Sequence, residues 1–296
     1  MESLVNYTVF HVIPWGTSYA LYFFLIGMSA GAFILSMIPH VCPGEGKYMP
    51  LSKLAWGISF ILLLLTGPIL IFDLTMPGRF IHLFFPNYMH MSSPLMWGTL
   101  LLLGMGLFSI LYAWALYMQN PLVKVFGIIG GLFALGLPIY SGFDMALQPG
   151  RPIWHSAVIP PLYLIVSLSS GVGLVSIIAY IINKEALNKD ILEGLRNILL
   201  FSAAATFVLL LSQSVVLAYG GEEEYNSLTL MYSHYGFMYW GLVWILGTIV
   251  PLAILLAPQF GASLNGLTIA SVLIILGAYS LRHVILLAGQ IIQQIY

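Results

Sequence analysis

Tyr140 and Asp144 stand four residues apart in PIYSGFDMAL, so they share one face of any helix that carries them. A phenol can donate to a carbonyl oxygen, and a carboxylate can take or give the accompanying proton. Trp15, Tyr19 and Tyr22 form a second stripe at helical spacing, shortly after His11. Asp73 and Arg79 bracket the segment DLTMPGR, and Arg151, Trp154 and His155 crowd the loop QPGRPIWHS. Arg282 and His283 lie inside the apolar run AYSLRHVILLAG. The chemistry these residues could share is proton transfer to and from a planar ring bearing carbonyl oxygens.

The elements that must position them are membrane-spanning helices. The chain has 296 residues, 60% hydrophobic and only 6% charged, with mean hydropathy +0.99. Soluble domains carry about a quarter charged residues, so water cannot be the solvent for most of this surface. Apolar runs of spanning length occur near 15–38, 51–74, 93–118, 122–147, 158–183, 195–219, 235–257 and 265–289. The expected fold is therefore an all-α integral membrane protein with eight transmembrane helices and no soluble domain. Lipid is the partner of its outer faces. The net charge of −1 offers no basic surface for nucleic acid. A single cysteine, Cys42, excludes an internal disulfide and a cysteine-ligated cluster or Cys-rich metal site. The opening MESLVNYTVFHVIPWG lacks the basic and apolar regions of a cleaved signal, so the first apolar segment is expected to remain a helix.

Orientation follows from lysine and arginine. Lys47, Lys53, Lys124, Lys184, Lys189 and Arg196 fall at one face, against Arg79 and Arg151 at the other. The lysine-rich face is then cytoplasmic, both termini lie outside, and in a bacterium outside is the periplasm. The segments 21–31 and 161–171, 96–104 and 239–247, and 133–136 and 274–277 resemble one another at offsets of 140, 143 and 141. The expectation is one membrane domain over residues 1–296, built as two four-helix bundles in parallel repeat, with halves near 1–150 and 151–296. Convergent packing of small residues gives the same pattern without duplication.

Ionisable residues inside a bilayer cost roughly 2.5–3.5 kcal/mol or more, so their placement carries information. Asp73, Arg79, Tyr140, Asp144, Tyr19, Tyr22, Gln213, His234 and Arg282 all map to the outer halves of the helices, while the inner halves are almost purely apolar. Trp15, Tyr19 and Trp154 also fit an interfacial aromatic belt, and Asp73 with Arg79 also fits an interfacial ion pair. A pocket among these residues suits a quinone ring, with apolar helices for its isoprenoid tail. Haem b would need histidines facing one another across helices at mid-membrane, and only His283 lies clearly inside one. Without a metal of its own, a redox subunit needs an external partner, and the acidic run Glu222–Glu224 with its aromatic neighbours lies at the outer face. Inner-half candidates for a proton path are Ser109, Tyr112, Tyr180 and Thr206, which argues against a strong pump. The competing class is a transporter or channel with a parallel repeat, which requires a polar path through the midplane.

Stretches that follow one another along nearly the whole sequence resemble the NrfD/polysulfide reductase (PsrC-like) membrane subunits. FDLTMPGRFIHLF resembles their D-L-x-x-P-x-R-F segment, and ALYFFLIGMSAGAF their first-helix Y-x-F-x-x-G-x-x-x-G pattern. PIYSGFDMAL and RPIWHSAVIPPLYLIVSLSSG resemble the central stretches, and LRHVILLAGQ the closing R-x-x-x-x-x-A-G-Q. The resemblance implies an eight-helix, quinone-reactive anchor in a bacterial or archaeal inner membrane. It implies a menaquinone or ubiquinone, no haem or iron–sulfur cluster in this chain, and a periplasmic four-cluster [4Fe-4S] ferredoxin-like subunit. That subunit would connect to a molybdenum-bis(pterin) or multihaem catalytic subunit. By matching positions, Tyr22 and Tyr140 become the expected partners of the quinone oxygens. Tyr19, Trp15, Trp154, His155 and Arg282 complete the expected wall, with Asp73 and Arg79 at its mouth and Asp73 or Asp144 as proton relay. No metal ligands are assigned.

Overall fold

The computed structural model describes residues 15–73, 77–85, 87, 91 and 93–291. Within these, the helices are α1 (Thr17–Val41), α2 (Met49–Asp73), α3 (Pro94–Tyr117), α4 (Val123–Ala146), α5 (Ile159–Ile182) and α6 (Lys189–Tyr219). They continue with α7 (Glu222–Gly236), α8 (Val250–Leu256), the short α9 (Pro258–Gly261) and α10 (Leu264–Ala288). A 13-residue π-helix, Phe237–Ile249, joins α7 to α8, so these three pieces form one span. Among the described residues, eight helices are long and apolar enough to cross a membrane. Hydrocarbon offers the backbone no partners, and a helix satisfies its own N–H and C=O groups. The protein is a multi-pass integral membrane protein.

Helix ends follow local chemistry. Asn188 Oδ1 accepts from the Ile191 amide at 2.9 Å to cap α6, and Ser263 Oγ accepts from the Gly266 amide at 3.1 Å to cap α10. The seventh span starts earlier than its apolar run suggests. Gly220 and Gly221 separate α6 from α7, and Glu222, Glu223 and Glu224 occupy the first turn of α7. Acidic side chains there are favoured by the helix dipole, so the acidic run is helical rather than loop.

The centre is built by α1, α5 and α10. The most apolar window of α1 is 72% buried, against 33–39% for the second, third, fourth, sixth and seventh spans. α1 packs on α2, α4, α5 and α10, while α10 packs on α5 and the π-helix. Glycine allows the closest of these approaches. A methyl group on Gly31 of α1 would overlap the backbone of Ser167 and Gly171 in α5, and one on Gly171 would overlap Gly31 and Ala32. Gly247 of the π-helix meets Gly277 of α10 in the same way. Ile61, Leu64 and Leu65 of α2, Leu103 and Leu107 of α3 and Phe201 and Val208 of α6 form exposed apolar faces, as lipid contact requires.

Candidate functional site

The site lies at the end of the bundle opposite the lysines, where α1, α4, α5 and α10 converge. Tyr19 and Tyr22 leave α1 one turn apart, and Tyr140 and Asp144 leave α4 at a similar spacing. The Tyr19 hydroxyl donates to Asp144 Oδ2 at 2.9 Å. Asp144 is 5% exposed and, among the described residues, has no basic side chain within ion-pair distance. Tyr22, 1% exposed, lies close enough to Tyr140 and Asp144 to interact electrostatically with both. The Tyr140 hydroxyl is buried within side-chain reach of the Tyr19 hydroxyl, but no described residue meets it at the distance and angle of a well-formed hydrogen bond.

Tyr140 reaches the bilayer side as well. Its ring packs on Gly98 of α3, where a methyl group would overlap the phenol. Beside it an apolar groove of about 350 Å³ runs between α3 and α4, lined by Pro94, Trp97, Leu101, Ile139, Tyr140 and Phe143 among others. Trp97 and Phe143 are about half exposed there. The groove thus offers an apolar slot open to the lipid, with the Tyr140 side chain forming part of its inner wall. Behind that side chain stands the Tyr19–Asp144 pair.

Other expected site residues build the frame. Trp15 stacks on Tyr19 at 4.8 Å and on Trp154 at 5.5 Å. Trp154 is fully buried and its Nε1 donates to the Ile285 carbonyl at 2.7 Å. The Arg151 guanidinium lies 4.8 Å over that indole and donates to the Gly289 carbonyl at 2.6 Å. Partial burial draws its pKa below the ordinary arginine value. His155 Nδ1 lies 2.8 Å from the Ala146 carbonyl, at the exposed end of α4. These side chains tie the α4–α5 loop to the end of α10. The side chains of Asp73 and Arg79, and the whole of His11, lie outside the described residues.

Arg282 sits deeper and is fully buried. Its Nη1 donates to the Ala278 carbonyl at 3.1 Å; Nη2 donates to Ser167 Oγ at 2.5 Å and to the Tyr163 carbonyl at 3.3 Å. The guanidinium also lies 5.2 Å from the centre of the Tyr163 ring, while its Nε has no partner among the described residues. It packs on Gly27 of α1, where any side chain would overlap Nη2 and Ser167. One arginine therefore ties α10 to α5 through a carbonyl and a hydroxyl, and packs against α1 at Gly27.

Sequence reasoning passed over Tyr163. It is fully buried, its hydroxyl has no partner among the described residues, and it interacts with both Asp144 and Arg282. Its signal in the sequence was its place three residues after Pro160 in the stretch RPIWHSAVIPPLYLIVSLSSG that carries the family resemblance, at the start of a serine-rich helix. Among the described residues no three His, Cys, Asp or Glu side chains converge as metal ligands would.

The family described as Polysulphide reductase, NrfD matches residues 7–294. The polysulfide reductase C subunit of Wolinella succinogenes is 25% identical over 308 residues, covering 95% of this chain and 96% of its own length. The Haemophilus influenzae NrfD homolog is 25% identical, with 94% and 95% covered. The Hdr-like menaquinol oxidoreductase integral membrane subunit of Archaeoglobus fulgidus is 25% identical, with 96% of this chain and 73% of that protein covered. With the match running from the first helix to the last, this chain belongs to the NrfD family of polysulfide reductase membrane subunits.

Proposed function

We propose that the chain is the quinone-exchanging membrane subunit of a respiratory oxidoreductase. The observation that carries this reading is Tyr140. A buried phenol without a well-formed hydrogen bond costs free energy, about 1–3 kcal/mol, and here its side chain forms part of the wall of an apolar groove. A ring carbonyl entering from the lipid would satisfy it, and the slot between Trp97 and Phe143 suits a planar ring followed by an isoprenoid tail. A bound quinone supplies two-electron, two-proton redox chemistry. The chain's own residues do the rest. Tyr140 donates to the ring oxygen and fixes its orientation. Asp144 holds the exchangeable proton, and Tyr19 keeps its carboxylate oriented. Tyr22 and Tyr163, both fully buried, pack behind Tyr140 and Asp144 and keep water from them. The name of the Archaeoglobus relative, a menaquinol oxidoreductase subunit, supports the quinone class and favours menaquinone over ubiquinone.

The electron partner is an iron–sulfur subunit docked on the Arg151 face, which the positive-inside pattern makes the outer one. A polar hollow of about 190 Å³ between Arg151, Glu223, Ser227 and Gly289 supports a docking surface there, beside the exposed Glu222. A catalytic subunit beyond it carries the terminal chemistry, of the molybdenum-bis(pterin) or multihaem class. Substituting Tyr140→Phe in the purified complex tests the reading. Quinol-linked electron transfer should fall at least tenfold while electron transfer from the partner to an artificial acceptor persists. Unchanged quinol-linked turnover would remove Tyr140 from the mechanism.

A further inference from the structure

The last residues of α10 fix two indoles that no helix places. α1 begins at Thr17 behind an extended Gly16, so Trp15 lies outside the helix, and Trp154 lies in the α4–α5 loop. Gln290 Nε2 donates to the Trp15 carbonyl at 2.7 Å. The Ile285 carbonyl accepts from the Trp154 indole, and a methyl group on Gly289 would overlap that same ring. Gly289 and Gln290 close the stretch LRHVILLAGQ. One leaves room for an indole, and the other holds the backbone that carries the second.

From Trp154 the ring contacts run unbroken to the partner of the buried carboxylate. Trp154 stacks on Trp15 with 26° between the ring planes, and Trp15 on Tyr19 with 14°. The Phe23 ring meets Tyr19 at 4.6 Å, tilted by 59°. Trp15, Tyr19 and Phe23 follow at four-residue spacing, so Tyr19 is held between an indole and a phenyl ring along one stripe. A phenol clamped on both sides keeps its hydroxyl aimed, and the 2.9 Å bond to Asp144 Oδ2 depends on that aim. Hydrogen bonds weaken steeply as the angle at the proton closes.

We propose that Trp15 is a positioning residue for the Tyr19–Asp144 pair, and that Gly289 and Gln290 at the end of α10 hold it in place. The proposal rests on the reading in which Asp144 exchanges a proton with quinol. A carboxylate must stand within hydrogen-bond reach of the proton it takes. A displacement of about 1 Å can cost about 10²-fold in rate. Among the described residues Tyr19 is the side chain that donates to Asp144, so the carboxylate moves when the phenol does. The stack thus passes geometry from the last helix, through the first, to α4. At its outer end the Arg151 guanidinium covers the Trp154 indole, so the loop on the proposed docking face belongs to the same unit.

The purified complex tests this with Trp15→Leu, Trp15→Phe and Gln290→Leu. Quinol-linked kcat per folded complex should fall about tenfold in both leucine variants, with KM for quinol within about twofold of wild type. The solvent deuterium isotope effect should rise in both, because proton transfer becomes the slow step. Trp15→Phe keeps a ring on Tyr19 and should restore most of the rate. Infrared spectra, with the Asp144 carboxyl band assigned against Asp144→Asn, read the geometry directly. That band should shift in the leucine variants and stay in place in Trp15→Phe. If Trp15→Leu yields no folded complex, Gln290→Leu decides. Lower thermal stability with kcat, isotope effect and carboxyl band unchanged makes the stack a fastening only and overturns the proposal. A raised KM at unchanged kcat puts Trp15 against the ligand and overturns it too. Wild-type complex that exchanges no electrons with quinol removes the quinone reading, and the carboxyl band alone then decides the positioning.

Discussion

Tyr19 and Asp144 meet through a 2.9 Å hydrogen bond across 125 residues of sequence. The bond closes α1 onto α4 at the end of the bundle that carries the candidate site. Removing it leaves a buried carboxylate without its donor, at a cost of about 1–3 kcal/mol. Tyr19→Phe should therefore lower the unfolding midpoint in detergent and slow quinol-linked turnover about 10²-fold. A shift in stability without any change in turnover would make the bond purely structural.

Gly98 sets the position of Tyr140. A methyl group there overlaps the phenol ring, whereas at Gly106, two turns along α3, it would meet only Leu63 Cδ2 among the described residues, at 3.9 Å. Gly98→Ala should weaken binding of a quinol-site inhibitor about tenfold, equivalent to about 1.4 kcal/mol. Gly106→Ala should leave it unchanged. Isothermal or fluorescence titration of the two variants makes the comparison.

The α1–α5 contact tolerates no side chain at all. Gly31→Val forces two backbones apart and should destabilise the protein by about 3 kcal/mol or more, visible as loss of folded material on size-exclusion chromatography. Gly57→Ala meets no described atom within 4 Å and should be neutral or stabilising by about 0.5–1 kcal/mol.

Trp154 separates frame from ligand. Trp154→Phe keeps an aromatic surface beneath Trp15 but leaves the Ile285 carbonyl without its indole donor. The expected result is a loss of about 1–2 kcal/mol in stability with quinol affinity within about twofold of wild type. A large loss of affinity at unchanged stability would put the indole in contact with the ligand.

The eight spans were legible because hydrocarbon thickness fixes the length of an apolar run. Most begin and end within a few residues of those runs; α6 starts earlier, at Lys189, and so does α7, at Glu222. The seventh span runs longer because a helix can begin in water, and Glu222–Glu224 favour its first turn although no hydropathy window includes them. The four-residue spacing of Tyr140 and Asp144 was enough to put them on one face. Their pairing with Tyr19 was not legible, because a contact between α1 and α4 leaves no trace in local spacing. Arg282 could be recognised as anomalous inside an apolar run, and the structure supplies carbonyls and Ser167 as its partners. Tyr163 reads as an ordinary core aromatic until Asp144 and Arg282 are placed beside it. The seven-residue spacing of Ser29 and Ser36 on α1 against Ser52 and Ser59 on α2 was visible in principle, and the structure pairs Ser29 with Ser59 and Ser36 with Ser52. Serine in a membrane helix usually signals close packing, and that reading hid the repeat of seven.

The enclosure of α1 also has a consequence for biogenesis. It precedes every other described helix in the chain, yet it ends as the most enclosed of them. It must first reside in lipid and then exchange that lipid for protein as later helices arrive. α4 brings Asp144 to Tyr19, α5 brings Tyr163, and Arg282 comes only with α10. A chain interrupted during synthesis before α10 would hold the phenols of α1 and α4 but lack the arginine behind them. Assembly with the proposed electron-transfer partner is then best delayed until translation is complete, because only the finished bundle brings these residues together.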